Sequence, residues 1–151
     1  MELEFLVIHM TATPEDMIVT KEMLEQWHLR DNMWSRLGYS DIIHRTGSLE
    51  NLTPYNEDGV VSGDEITNGA YGFNSISRHI VLEGGYNNGI KIGTFDIGQI
   101  FTQAQVSRLL EYIKKFRYLH PDCEIVGHRD VNETTCPNFD VKDFLQQYKL
   151  Y

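Results

Sequence analysis

The chain has 151 residues, a length that suits one domain burying roughly 68–70% of its unfolded surface without disulfides. With 13 Lys+Arg against 22 Asp+Glu, the formal charge of −9 argues against a broad nucleic-acid or anionic-membrane footprint. Two cysteines make no disulfide framework, and no run of about 20 apolar residues is present to span a membrane.

The opening "MELEFLVIHM" is acidic where a signal peptide is basic, and it lacks a small-residue cleavage site. The expectation is a chain made in the cytoplasm without an export address. Within it, Leu3 to His9 is a short apolar run suited to a strand covered on both faces. "ATPED" breaks that run, and Thr20 can cap a helix that places Met23, Leu24 and Trp27 on one face. "GYSDIIHRTGSLENL" reads as a hairpin, with "RTGS" turning between Tyr39–His44 and Ser48–Leu52. Asn51 to Ala70 has little periodicity and reads as an ordered loop. "SISRHIVLEGG" is a further strand ending in a Gly-Gly turn. "FTQAQVSRLLEYIKKFRYLH" is the clearest helix. Thr102 and Gln105 form a capping box, Val106, Leu109, Leu110, Ile113 and Phe116 recur at helical spacing, and Pro121 ends it. "CEIVGH" is a short strand, and "DVKDFLQQY" a last helix capped by Asp140. Strands alternating with helices predict an α/β domain, a mixed sheet flanked by helices, over residues 1–151.

Three side chains carry candidate metal chemistry. His9 and His128 each fall at the C-terminal end of a predicted strand, the edge at which α/β sheets place their sites. Cys136 lies on the loop that leaves His128 and can fold back over the same point. Two imidazoles and a thiolate with one position left open make the pattern of a catalytic rather than a structural zinc. Soft sulfur beside imidazole favours zinc over magnesium or calcium. Spacing alone leaves the plain alternative open, in which the histidines are satisfied or exposed and Cys136 is a small buried residue.

"VIHMTAT", "LGYSDIIHRTG", "GFNSIS…LEGG" and "GHRD…TTCPNFDV" together resemble the zinc-dependent N-acetylmuramoyl-L-alanine amidases. This is the type-2 amidase family, shared by phage endolysins of the T7-lysozyme kind and by peptidoglycan recognition proteins. The likeness runs from about Leu3 to Leu145 with its blocks in family order. It implies a central mixed sheet flanked by helices, one zinc per chain, and hydrolysis of the amide between N-acetylmuramic acid and L-alanine in peptidoglycan. By position it implies His9, His128 and Cys136 as zinc ligands and Tyr39 as the tyrosine of the "GY" block. Thr134 falls where the family has a catalytic lysine or threonine.

The chain departs from the family at two places. Ser40 follows Tyr39 where many relatives have histidine, and Gly69 stands where many have the histidine of an "HA-x-G-[YF]-N" block. His44 could stand in for part of that function, although an exposed hairpin histidine is its plainer role. His28, His79 and His120 carry no ligand role by position, Cys123 reads as structural, and Asp130 as a residue that fixes its loop or orients a ligand. Two other functions stay open: a peptidoglycan-binding module of the same fold without catalysis, and an interaction domain with metal only as a staple. The expected setting is a phage or prophage lysis protein that reaches the wall after release. Its partner would be peptidoglycan, with no nucleic acid and no membrane insertion.

Overall fold

Leu6, Val7 and Ile8 are fully buried, as a parallel strand covered on both faces requires. The computed structural model describes residues 1–150. Strand β1 (Phe5–Met10) is followed by helix α1 (Lys21–Glu25), which widens into a π-helical segment over Gln26–Asp31. The hairpin is formed by β2 (Asp41–Ile43) and β3 (Leu49–Asn51), and β4 (Ser77–Leu82) follows the long loop. Then come α2 (Ile97–Ile100), α3 (Gln103–Leu119), β5 (Glu124–Gly127), a 3-10 turn over His128–Asp130, and α4 (Val141–Gln147).

The sheet order is β3-β2-β4-β1-β5. β1 lies parallel to both β4 and β5, β2 is parallel to β4, and only the β2–β3 hairpin pairs are antiparallel. The mixed sheet expected from the alternating pattern is therefore present. β1 and β5 are direct neighbours, although 113 residues lie between Met10 and Glu124 in the chain.

The pleat sends alternate residues to different layers. Leu6, Ile8, Met10, Ile43, Ile80 and Leu82 join one large core with α3 and α4. Ile42 and Val81 join a smaller one with Val19, Leu24, Leu37 and Leu52. Helix α3 turns Val106, Leu109, Ile113 and Phe116 inward, each side chain worth roughly 1.5–3 kcal/mol on full burial. Its start is fixed as expected: the Thr102 hydroxyl accepts from the Gln105 amide at 3.1 Å, and Gln105 Oε1 accepts from the Thr102 amide at 3.0 Å. Gln105 Nε2 also donates to the carbonyls of Ile43 and Glu83, which ties the helix to the ends of β2 and β4. Thr20 caps α1 by accepting from the Met23 amide.

Two elements escaped the periodicity argument. α2 is a single turn capped by Asp96 and Gln99, too short to show a helical repeat. The π-helical segment after α1 breaks the 3.6-residue period, so Met23 and Trp27 end half-buried and only Leu24 and His28 are buried. His44 is not an exposed hairpin histidine. It is half-buried between Glu83 (2.9 Å) and Glu50 (2.8 Å).

Candidate metal centre

The parallel register builds the site. Ile8 pairs with Gly127, so the next residues, His9 and His128, emerge together at the C-terminal ends of β1 and β5. Their rings lie 4.7 Å apart between centroids. His128 is the first residue of the 3-10 turn rather than the last of the strand. Cys136 returns to this point because its loop is closed at both ends. The Asp130 carboxylate accepts from the Gly127 amide (2.8 Å), the Arg129 amide donates to the Cys136 carbonyl (2.8 Å), and the Arg129 guanidinium donates to the Thr135 and Gly93 carbonyls. The Met10 amide then donates to Cys136 Sγ at 3.3 Å. Asp130 thus fixes the loop, one of the two roles expected of it.

One ligand atom from each of His9, His128 and Cys136 lies within 4.8 Å of the others. Among the described residues this is the one such grouping of three. In each histidine one nitrogen is already engaged. His9 Nε2 sits 2.9 Å from His79 Nδ1, and His128 Nε2 sits 2.9 Å from Asn132 Oδ1. That leaves Nδ1 of both rings for a ligand, and His9 Nδ1 is 3.9 Å from Cys136 Sγ.

Burial sets the protonation of this group. It holds His9 well below the usual imidazole range, with the neighbouring His79, His128 and His28 adding to the effect. His128 is also lowered by burial, against the opposing hydrogen bond to Asn132. Burial pushes the Cys136 thiol up to about 12, against the Met10 amide and Arg129, which favour the thiolate. Without a cation, then, the site is two neutral imidazoles and a thiol. A divalent cation would reverse only the thiol, because neutral imidazole and thiolate are the ligand forms. Tetrahedral bonds of roughly 2.0–2.3 Å put ligand atoms roughly 3.4–3.6 Å apart, and the His9–Cys136 pair is within half an ångström of that. The donor set fits a tetrahedral, nitrogen-and-sulfur-loving ion with one position open.

Tyr39 packs its ring against His9 at 5.2 Å and against His28 at 5.3 Å. Burial, reinforced by Cys136, pushes its phenol above the ordinary range, so the hydroxyl stays protonated and can donate. Thr134 is exposed, and its hydroxyl accepts from the Cys136 amide at 3.2 Å, so it supports the ligand loop while keeping its own proton to donate. Ser40 is buried beside the sheet, its amide donating to the His79 carbonyl. His28 packs on Trp34 and accepts from the Gly38 amide, and His120 bonds Glu57. Cys123 is buried and donates to the Leu3 carbonyl. All three lie outside the metal group.

His79, Asn74 and Asn132 were not anticipated. His79 reaches His9 from another strand, 70 positions away, and Asn74 bonds His79 rather than a candidate ligand, whereas Asn132 stands only four residues after His128 and went unread as its partner. The one available signal was a histidine inside a strand buried on both faces, because a buried polar ring needs partners. An open groove of about 650 Å³ reaches His128, the one member of the group that lines it, and is walled among others by Trp34, Gly69, Tyr71, Asn74 and Asn132. Tyr71 is 91% exposed at its edge.

The family described as N-acetylmuramoyl-L-alanine amidase matches residues 1–139. The chain is 30% identical to the endolysin of Enterobacteria phage K11 over 143 residues, covering 95% of this chain and 85% of that protein. It is 28% identical to the endolysin of Escherichia phage T7 over 145 residues, with the same shares covered. Among solved structures, the N-acetylmuramoyl-L-alanine amidase LysC from Clostridium intestinale URNW superimposes with a TM-score of 0.74 at 19% identity, over 99% of this chain and 87% of that one. Drosophila PGRP-LB gives 0.69 at 17% identity, over 99% and 83%. At these identities the structural likeness is one of fold.

Proposed function

The chain belongs to the N-acetylmuramoyl-L-alanine amidase family, and from that premise we propose that it hydrolyses the amide between N-acetylmuramic acid and L-alanine with one zinc held by His9, His128 and Cys136. The observation that carries the assignment is the convergence of those three donors, from the end of β1, the turn that follows β5 and one loop, on a single point where His128 faces a groove. We take residues 1–151 as one catalytic domain. The retained cysteine favours catalysis over a binding module, and the three-ligand set favours it over a structural staple, which wants a fourth protein ligand.

Zinc at this site supplies a Lewis acid beside the scissile carbonyl, worth several kcal/mol in stabilising negative charge. The chain's own groups do the rest. His9 and His128 present unprotonated Nδ1 atoms because their Nε2 atoms are engaged. Tyr39, kept protonated, donates a hydrogen bond to the oxyanion that develops next to His9. Thr134 offers a second, neutral donor from the loop that carries Cys136. The muropeptide lies along the groove between Trp34 and Tyr71, whose rings give a sugar or stem peptide apolar faces to rest on.

The relatives named as phage endolysins support a lysis setting, with peptidoglycan as the macromolecular partner. No helix among the described residues is long and apolar enough to cross a membrane. Zinc content measured beside turnover on purified sacculi tests the assignment. One equivalent of metal with activity that chelation abolishes is expected, and metal-free activity would overturn it.

A further inference from the structure

Asn74, His79 and His9 form a line of side chains running into the metal centre. The Ala70 amide donates to Asn74 Oδ1 at 2.8 Å, which identifies that atom as oxygen, an acceptor only. His79 Nε2 lies 3.1 Å from the same oxygen. His79 is fully buried, and a buried neutral imidazole has one N–H. That proton must sit on Nε2 to satisfy Asn74, which leaves His79 Nδ1 as a bare acceptor. His9 Nε2, at 2.9 Å, must then be the donor. The consequence falls on the far side of the His9 ring, where Nδ1 is left without a proton and facing Cys136.

The space for this line depends on Gly69. A Cβ at that position would stand 2.5 Å from both Cγ and Nδ1 of His79 and 2.7 Å from the Gly38 carbonyl. Any side chain there would take the volume that the His79 ring now fills. His79 reaches this volume from β4, one pleat position from Val81, which pairs with His9. Gly69 and His79 are therefore two halves of one arrangement: the loop gives up its side chain, and the strand supplies an imidazole in its place.

We propose that Asn74 and His79 are positioning residues that fix the tautomer and orientation of His9 in the metal-free chain, so that Nδ1 is presented as a ready ligand. This rests on the assignment of His9 as a ligand. Neither residue touches the reacting atoms. Their effect is to remove the penalty of selecting one of two tautomers and one ring orientation at the moment of binding, an outer-shell contribution typically worth 10–100-fold in metal affinity.

The test combines two readouts on the full chain. Long-range ¹H–¹⁵N correlations on the metal-free protein report directly which nitrogen of His9 and of His79 carries the proton. Competition with a chromogenic chelator then gives zinc affinity. In the wild type, His9 and His79 are both expected in the Nε2–H form. His79→Ala and Asn74→Leu should lose the single His9 tautomer and bind zinc roughly 10–100-fold more weakly. Asn74→Asp keeps an acceptor oxygen and should keep the tautomer. Asn74 is only half-buried, so its variants remain informative if His79→Ala does not fold. A His9 ring protonated on Nδ1 in the wild type would overturn the proposal. So would zinc affinity in Asn74→Leu within about twofold of wild type, or Asn74→Asp behaving like the leucine variant. Failure of the ligand assignment itself reads differently: a wild-type chain with the stated tautomers that takes up no zinc.

Discussion

Ile8 pairs with Gly127 across the β1–β5 ladder, and that one register places His9 and His128 with their rings 4.7 Å apart at the sheet's C-terminal edge. A slip of one residue would turn either imidazole to the opposite face. The candidate metal centre is thus a consequence of strand pairing, with Cys136 brought in by a loop that Asp130 and Arg129 close.

Cys136→Ser removes the soft donor and leaves the Met10 contact to a smaller oxygen. Metal analysis of the purified variant should show strongly reduced zinc, with activity lost in proportion. Full occupancy and full activity would remove Cys136 from the ligand set.

Zinc held by His9 and Cys136, 127 positions apart in sequence, would engage only the folded chain, so it should stabilise the fold. At a free-zinc concentration 100-fold above Kd the gain is about 2.7 kcal/mol. Thermal unfolding with and without chelator should show a higher Tm for the zinc form, and Cys136→Ser should flatten that difference. An equal Tm in both conditions for the wild type would contradict a site present only in the folded state.

Tyr39→Phe deletes one hydroxyl and keeps the ring that packs on His9 and His28. Zinc content and Tm should stay close to wild type while turnover falls ~10²-fold or more, the scale of one preorganised donor. Turnover within a factor of a few would reduce Tyr39 to a packing residue.

Thr134 has a structural bond as well as a candidate chemical one. Thr134→Val loses the acceptor for the Cys136 amide, which costs about 0.5–1.5 kcal/mol of stability, and it loses the proposed donor to the oxyanion. Thr134→Ser keeps both and should behave as wild type. A valine variant that is less stable yet turns over normally would leave Thr134 with only the loop role.

His44 supplies a pH dependence away from the metal. Burial lowers its pKa, but hydrogen bonds to Glu83 and Glu50 outweigh that and leave it raised above the ordinary 6.5. The protonated ring therefore stabilises the fold in full below pH 6.5, and that stabilisation is lost as pH rises through the folded value. His44→Gln should be destabilised more at pH 5.5 than at pH 9 in denaturant titrations. An equal loss at both would mean the ion pairs contribute nothing.

The framework was legible where one side chain reports on its own element. Thr102 with Gln105, the apolar repeat of α3, and "RTGS" between two short strands are local signals, and each element formed where its signal lay. The grouping of His9, His128 and Cys136 as candidate ligands was legible because strand ends and the family blocks both point to it. The outer shell was not. His79 looks like any strand residue until β4 is laid beside β1, and Asn74, five residues before it, gains meaning only once His79 does; Asn132 lies four residues after His128, but no polar pattern in the loop singles it out. Likewise, the meaning of Gly69 is steric and invisible until the His79 ring is placed against it.

Purified sacculi incubated with the zinc-loaded chain and analysed by mass spectrometry should release stem peptides bearing a new L-alanine N-terminus, with glycan strands intact and no such products from Cys136→Ser. Release of disaccharide fragments, or of peptides cut at their cross-links with the muramoyl amide retained, would rule out hydrolysis of the N-acetylmuramoyl-L-alanine amide.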